Sequence, residues 1–318
     1  MYIPAHDVFL QNIYKMNYQK IRQNDKQFLS LTSLTVTEFD ELLSPFELAW
    51  DTFIYKFKLD GTPRKRKYVE KPNNPLSRIE DKLFFILWYQ KNNPLQECLA
   101  ATFGLEQDMC NKWIHILSPL LDKSLKKYKA ARTENELEKK LIEGSTYIGD
   151  CTERTIERPT IDQQEVYSGK KKAHTLKNFM LCCTCGFVVF LGHTVSGKVF
   201  DKKVAEQQLS LKKKITLLMD LGFQGLKLQN GTIFLPHKKP KLKELTKIQK
   251  KENQLLSRER VLIENVLAHV KIMRIVKDKN RNRKDGFRDL VINTAVSLHN
   301  YRVTKRRISF LPQEGFFA

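Results

Sequence analysis

Acidic residues are scarce in this sequence. Its 318 residues hold 35 Asp and Glu against 56 Lys and Arg, a formal charge of +21 at pH 7. Such a surplus calls for an anionic partner, and nucleic acid is the usual polyanion. Cysteine is sparse as well. Six cysteines in a chain long enough to bury real cores do not make a disulfide-built scaffold, and the expectation is a reducing compartment, the cytoplasm. Long apolar runs are missing: Leu83–Tyr89 and Gly186–Gly192 fall far short of the ~20 residues a membrane-spanning helix needs. No basic stretch followed by an apolar segment opens the chain, so no signal peptide is expected. There is no internal repeat and no low-complexity tract beyond clusters of lysine. What is present, 41% hydrophobic and 29% charged residues, is the composition of an ordered protein, and the length allows two or three domains.

Residues 1–60 read as helical. Thr35 and Glu38 stand at capping-box spacing, followed by an apolar stripe of Phe39, Leu42, Leu43 and Phe46. The breaker-rich basic stretch Gly61-Thr-Pro-Arg-Lys-Arg-Lys67, with Pro72 and Pro75 behind it, sets a boundary. A helix over 77–92 follows. Asn93 as cap, Pro94 at the first helical position and Gln96 then open another helix, Gly104 breaks it, and Met109, Trp113, Ile116 and Leu117 form the stripe of the next. Helix, short turn and helix is a helix-turn-helix plan, placed at 61–121. The charged run over 122–143 reads as a solvated helical connector.

From Ser145 the period changes. Thr146–Asp150 and Ile215–Met219 read as short buried strands, each ending on a carboxylate, Asp150 and Asp220. His174–Cys183 and Phe187–His193 are β-rich around a turn at Gly186, and Thr232–Leu235 adds a strand. A long helix is expected over 241–277 and a shorter one over 287–301. Strands followed by helices make an α/β or α+β domain. It is placed at 144–304, with 305–318 as a tail.

Two carboxylates 70 residues apart, each just past an apolar strand, reach one sheet edge if the strands are neighbours. That arrangement suits hard divalent cations, which take oxygen ligands. The plainer reading of either acid alone is a turn former or a helix cap. In the long helix Arg260, Glu264 and Lys271 stand at spacings of four and seven, on one stripe, with Ile263, Val266, Val270 and Met273 on the other. By itself such a stripe is a set of surface ion pairs.

In combination these elements resemble the DDE transposases of bacterial insertion sequences, in the subgroup with an N-terminal helix-turn-helix. The likeness runs from Leu76 to Tyr301. Gly149–Pro159 resembles the segment around the first catalytic Asp, and Tyr167–Lys177 the basic signature after it. Gly197–Asp201 resembles the Gly-x-x-His-Asp element with Phe200 in place of His. Asp220–Gly225 resembles the box of the second Asp with Phe223 in place of Tyr. Arg260, Glu264 and Lys271 match the third box, with Ser257 where Tyr is usual.

The resemblance implies an RNase H-like catalytic domain, a mixed sheet flanked by helices, behind an all-α helix-turn-helix region. It implies Asp150, Asp220 and Glu264 as the catalytic acids holding two Mg²⁺ or Mn²⁺ ions, with Arg260 and Lys271 on DNA phosphates. Asp201 is read as supporting the metal ligands from outside. The expected reaction is DNA cleavage followed by 3′-OH strand transfer at the ends of a mobile element. The partners expected are double-stranded DNA and, once assembled on it, a second copy of the chain; no membrane and no small-molecule substrate are expected. The place of action is the cytoplasm at the nucleoid.

DNA has two candidate surfaces. The lysine clusters, Lys170, Lys171 and Lys172 among them, offer phosphate contacts. Gln107, Asn111, Lys112 and His115 of the second helix of the helix-turn-helix are the side chains placed to read bases, although Glu106 and Asp108 begin that helix. Cys182, Cys183 and Cys185 with His174 and His193 lack zinc spacing and read as buried strand residues. A catalytically silent DNA-binding descendant of such an enzyme, and a host endonuclease of the same fold, are the competing readings.

Overall fold

The computed structural model describes residues 16–70 and 74–306. The readings made at the N-terminus, at Pro72 and over most of the 305–318 tail lie outside them. The chain divides into two compact units, 1–126 with 273–275, and 127–272 with 276–318.

The first unit is all helical: α1 (Tyr18–Ile21), α2 (Asp25–Thr32), α3 (Val36–Lys56), α4 (Ile79–Asn92), α5 (Gln96–Phe103) and α6 (Gln107–Ser124). Thr35 caps α3 as expected. Its side chain accepts from the Glu38 amide, and the Glu38 carboxylate accepts from the Thr35 amide, so two otherwise unpaired donors are met reciprocally. Asn93 behaves differently from its reading. It takes the left-handed conformation (φ 47°) and ends α4, while α5 starts later, with Leu95 as its cap and no side-chain cap bond. An Asn is among the few residues that tolerate that backbone, so terminating one helix outcompetes starting the next. Gly104 ends α5 at φ 64°. Tyr18, Phe28, Phe39 and Phe84 make an aromatic core, with ring centroids 5.2–6.2 Å apart.

The second unit is built on a mixed sheet. The expected connector is not one solvated helix: α6 ends in it at Ser124, a single 3₁₀ turn follows, and then α7 (Glu134–Lys140), whose Leu137 is fully buried in the core of this unit. The strands are β1 (Thr146–Thr155), β2 (Tyr167–Ser168), β3 (Ala173–Cys183), β4 (Val188–Leu191) and β5 (Val195–Ser196). Helix α8 (Asp201–Gln208), β6 (Ile215–Leu218), β7 (Gly231–Phe234), α9 (Lys247–Val270) and α10 (Phe287–Arg306) follow. The order is β2-β3-β1-β6-β7, with β4 and β5 also on β3. β1 runs antiparallel to β3 and parallel to β6, and β6 is parallel to β7. This is the expected class, an RNase H-like α/β domain behind a helical region.

The long helix is shorter than its pattern. Pro240 and Leu242 (φ 65°) keep the preceding segment irregular, and Thr246 caps α9 through a second capping box with Gln249. The cysteine reading is corrected as well: Cys183 and Cys185 are bonded to each other across Thr184, just before Gly186 (φ 85°), whereas Cys182 remains a buried thiol.

Asn300, fully buried on α10, ties the helix to the sheet edge. Its Oδ1 accepts from the Val188 amide at 2.8 Å, and its Nδ2 donates to the Val188 and Tyr128 carbonyls at 2.9 Å. Asn300→Ala strands these backbone groups in the interior, and is expected to destabilise the protein by about 2–3 kcal/mol. A fall in the urea midpoint of the second unit is the check.

Candidate active site

The parallel pairing of β1 with β6 sets the frame. Ile148 lies opposite Leu218, so Asp150 and Asp220 each fall two residues beyond the last shared pair. The two acids therefore stand side by side at one edge. β1 does not end at Asp150 as its pattern suggests: it runs five residues further against β3, with Asp150 opposite Met180. Asp150 thus sits on a rigid, hydrogen-bonded strand.

Each carboxylate has an oxygen fixed by the backbone. Asp150 Oδ1 accepts from the Cys151 amide at 2.7 Å, and Asp220 Oδ1 accepts from the Gly222 amide at 2.8 Å. Gly149 and Gly222 are small for a reason. A Cβ on Gly149 would come within 2.9 Å of Leu181 and 3.0 Å of Met219; one on Gly222 would lie 2.9 Å from Asp220 Oδ1 and 3.2 Å from Asp201 Oδ2. Asp201, the first residue of α8, thereby shares the edge with Asp220.

The acids repel one another. Burial pushes the Asp150 carboxyl up to about 6, and the Asp220 and Asp201 charges add to this; the Cys151 amide and the Arg260 charge oppose it. Asp201 has its own counter-ion. Lys177 Nζ lies 2.8 Å from Asp201 Oδ1, an ion contact without hydrogen-bond alignment, and donates to the Val199 carbonyl at 2.7 Å. Asp201 is therefore committed to Lys177, which fits a supporting place better than a metal ligand's.

From α9 the structure brings Arg260 and Lys271 into the field of Asp150. The Nε of Arg260 is buried with no hydrogen-bond partner. Lys271 is half-buried, and burial together with the Lys171 charge holds its ammonium below the usual range. Glu264 lies between them on the same helix, exposed and, among the described residues, with no ion pair or hydrogen bond. Among the described residues no three His, Cys, Asp or Glu side chains converge on one ion-sized site. The charges of Asp220 and Asp201 reach Asp150, but these acids and Glu264 are not gathered round one point. The donor set still fits a hard divalent cation: Asp150 and Asp220 are hard oxygen donors held at neighbouring positions of one sheet.

A buried support beneath the site escaped the sequence reading. Arg154, on the same face of β1 as Asp150, donates to Asn178 Oδ1 and the Arg288 carbonyl at 2.8 Å and to Thr194 Oγ1 at 3.3 Å. Burial lowers its guanidinium to about 10, and the Asp289 charge resists that shift. Asp289 in turn takes a two-pronged bond from Arg132 at 2.8 and 2.7 Å and a third from Thr194 at 2.6 Å. The only signal available was an Arg in period-two register with Asp150.

On the other expected surfaces, Lys170, Lys171 and Lys172 are exposed in the turn before β3. On α6, Gln107 and Asn111 both donate to Gln96 Oε1, and Lys112 pairs with Asp108 at 2.9 Å, so three of the four proposed base readers are engaged within the chain. His115 is half-buried. No helix among the described residues is long and apolar enough to cross a membrane.

Comparison with known proteins gives two family matches. Residues 149–300 match the DDE superfamily endonuclease, and residues 74–127 match the helix-turn-helix of DDE superfamily endonuclease. The chain is also 27% identical over 252 residues to a probable transposase for insertion sequence element IS702 of Microchaete diplosiphon, covering 78% of this chain and 90% of that protein. No solved structure matches it.

Proposed function

We propose, from the premise that this chain belongs to the DDE superfamily endonucleases of the transposase group with a helix-turn-helix ahead of the catalytic domain, that it cuts the ends of its mobile element and joins them to target DNA. The observation that carries the reading is the placing of Asp150 and Asp220 side by side, each two residues past the last pair shared by β1 and β6, inside the matched endonuclease region. Two carboxylates kept close at the cost of mutual repulsion favour the enzyme over the silent DNA binder.

Asp150 and Asp220 would hold Mg²⁺ or Mn²⁺, and Glu264, unpaired on α9, would complete the set on approach of DNA. Two such ions supply Lewis acidity and an activated water or 3′-OH for in-line phosphoryl displacement. The chain's own residues do the positioning. The strand backbone and the Cys151 and Gly222 amides fix the acids. Arg260, with a buried donor awaiting an acceptor, and Lys271 neutralise phosphate beside the cut. Lys177 holds Asp201, which supports the edge. Lys170, Lys171 and Lys172 meet the DNA backbone. The helix-turn-helix binds DNA; base reading by Gln107, Asn111, Lys112 and His115 requires them to exchange their present partners for bases. A dimer assembled on two element ends, acting at the nucleoid, is the form in which cutting and joining would be coupled.

The test is excision in cells from a donor plasmid carrying the gene's native flanking DNA, with wild type compared with Glu264→Gln. Empty donor sites and new insertions with wild type, lost in the variant, are expected. Equal frequencies would remove Glu264 from the site. No events with wild type, together with no metal-dependent cutting of the flanks by purified protein, would favour the silent binder.

A further inference from the structure

Beyond α3 the first unit carries a short, well-braced hairpin. Phe57 and Pro63 form an antiparallel bridge, and Lys58 N donates to Thr62 O at 2.8 Å. Arg64 N donates to Lys56 O at 2.8 Å, and Gly61 takes φ 83° at the tip. Asp60 Oδ1 accepts from both the amide and the hydroxyl of Thr62. The hairpin delivers Arg64, Lys65, Arg66 and Lys67, none of which has an acidic partner among the described residues. This contrasts with α6, where Lys112 is already neutralised by Asp108.

The hairpin's exit segment and the last three turns of α3 line a cleft of about 1000 Å³. One wall is cationic, from Arg64, Lys65 and Lys67. The other is a stripe of α3 at four-residue spacing: Glu47, Asp51 and Tyr55. Tyr55 is 82% exposed. Between the walls lies Tyr68, with the Arg64 guanidinium 5.1 Å over its ring and Trp50 edge-on at 6.1 Å.

We propose that this cleft binds a single unpaired DNA strand, with phosphates on the Arg64–Lys67 wall and a base against Tyr55. The proposal rests on the reading of the chain as a DNA-processing protein, and is separate from the helix-turn-helix and from the carboxylate site. A cationic rail beside an exposed aromatic ring is what strand binders use: charge tracks the backbone, and any base can stack. The acidic wall decides between strand and duplex. A duplex sheathed in phosphate on both sides would bring one backbone against Glu47 and Asp51. A lone strand turns its backbone to one wall and its base to the other, where carboxylates accept from exocyclic amino groups.

The test uses the full chain and two fluorescein-labelled probes, a 12-nucleotide single strand and a blunt duplex of equal length, read by anisotropy across a salt series. Tyr55→Ala is expected to weaken the single strand roughly tenfold and to leave the duplex within about twofold. Tyr55→Phe should restore strand binding. A Lys65→Gln, Arg66→Gln, Lys67→Gln variant should flatten the salt slope for the strand by about 2, three cations at ~0.7 each. A strand carrying 5-iodouracil should cross-link to a peptide containing Tyr55. Equal weakening of both probes would mean a duplex backbone grip, and overturns the proposal. So does an unchanged slope, or a cross-link elsewhere. Wild type that binds the duplex but not the strand overturns the proposal alone; wild type that binds neither overturns the DNA-processing reading as well.

Discussion

Asp150→Asn is expected to make the metal-free protein more stable while abolishing its action on DNA. The first effect follows from the site's electrostatics. In the unfolded chain an Asp ionises near 3.8, whereas burial, with Asp220 and Asp201 nearby, raises Asp150 to about 6 in the fold. A carboxyl whose folded pKa lies above its unfolded value stabilises fully below the unfolded value and loses that contribution as pH rises through the folded one. At pH 7.5 the charge is therefore a burden. A shift of about two units corresponds to about 3 kcal/mol at most, and partial solvent access brings the expected gain for Asn to about 1–2 kcal/mol. In EDTA the variant should melt several degrees higher than wild type at pH 7.5, with the difference vanishing towards pH 4. Adding Mn²⁺ should raise the wild-type midpoint and leave the variant's unchanged. The second effect is larger. If Asp150 holds the metal as proposed, removing its carboxylate forfeits several kcal/mol of transition-state stabilisation, on the order of a 10³-fold loss in cleavage of element-end DNA. Asp220→Asn should match it. A variant that melts higher but still cuts would keep the electrostatic account and remove Asp150 from the chemistry.

The parts of this molecule legible in the sequence are those governed by local rules. Thr35 with Glu38 and Gly104 act through their nearest neighbours in the chain, and composition and spacing were enough to find them. The two Asp at strand ends were visible because apolar runs of four or five residues stop at them. Where the sequence misled, a contact distant in the chain decided the outcome. β1 looked as if it ended at Asp150 because polar residues follow, yet Thr152 and Arg154 are buried polar residues, and the terminal nitrogens of Arg154 donate to Asn178, Thr194 and Arg288 from three other segments. Asn93 carried two local signals at once, and the end of α4 prevailed over the start of α5. The pairing of Lys177 with Asp201 was equally hidden, since nothing in either segment announces the other. The helical stripe of Arg260, Glu264 and Lys271 was read correctly as a stripe. That Arg260 and Lys271 fall within the field of Asp150 depends on where α9 packs, which no periodicity contains.

Glu70→Leu is expected to be among the most destabilising single changes in the first unit. The reason is Lys82, whose side chain is 1% exposed in the first turn of α4. Its ammonium is met at every donor: Glu70 Oε2 at 2.9 Å, the Leu76 carbonyl at 2.6 Å and the Ser77 carbonyl at 2.8 Å, with the Trp50 ring 4.8 Å away. Burial lowers the Lys82 pKa despite these partners, which marks how much the charge depends on them. For Glu70, burial raises the pKa, but hydrogen bonds from Asn74 and Lys82 and the Lys82 charge outweigh it, so the net shift is downward. A depressed carboxyl contributes stability that is present above its unfolded pKa and lost as pH falls through its folded one. Removing it at neutral pH leaves Lys82 with two carbonyls and no counter-charge, a loss of about 3–5 kcal/mol. Glu70→Leu should therefore lower the urea midpoint of the first unit strongly at pH 7, and much less near pH 3.5, where wild type has begun to lose the same pair. Lys82→Met in the Glu70→Leu background should recover most of the loss, because the charge that lacked a partner is gone and an apolar side chain of similar length takes its place beside Trp50 and Trp113. If the double variant were as unstable as Glu70→Leu alone, the cost would lie in the packing of the 64–77 segment and not in the buried cation.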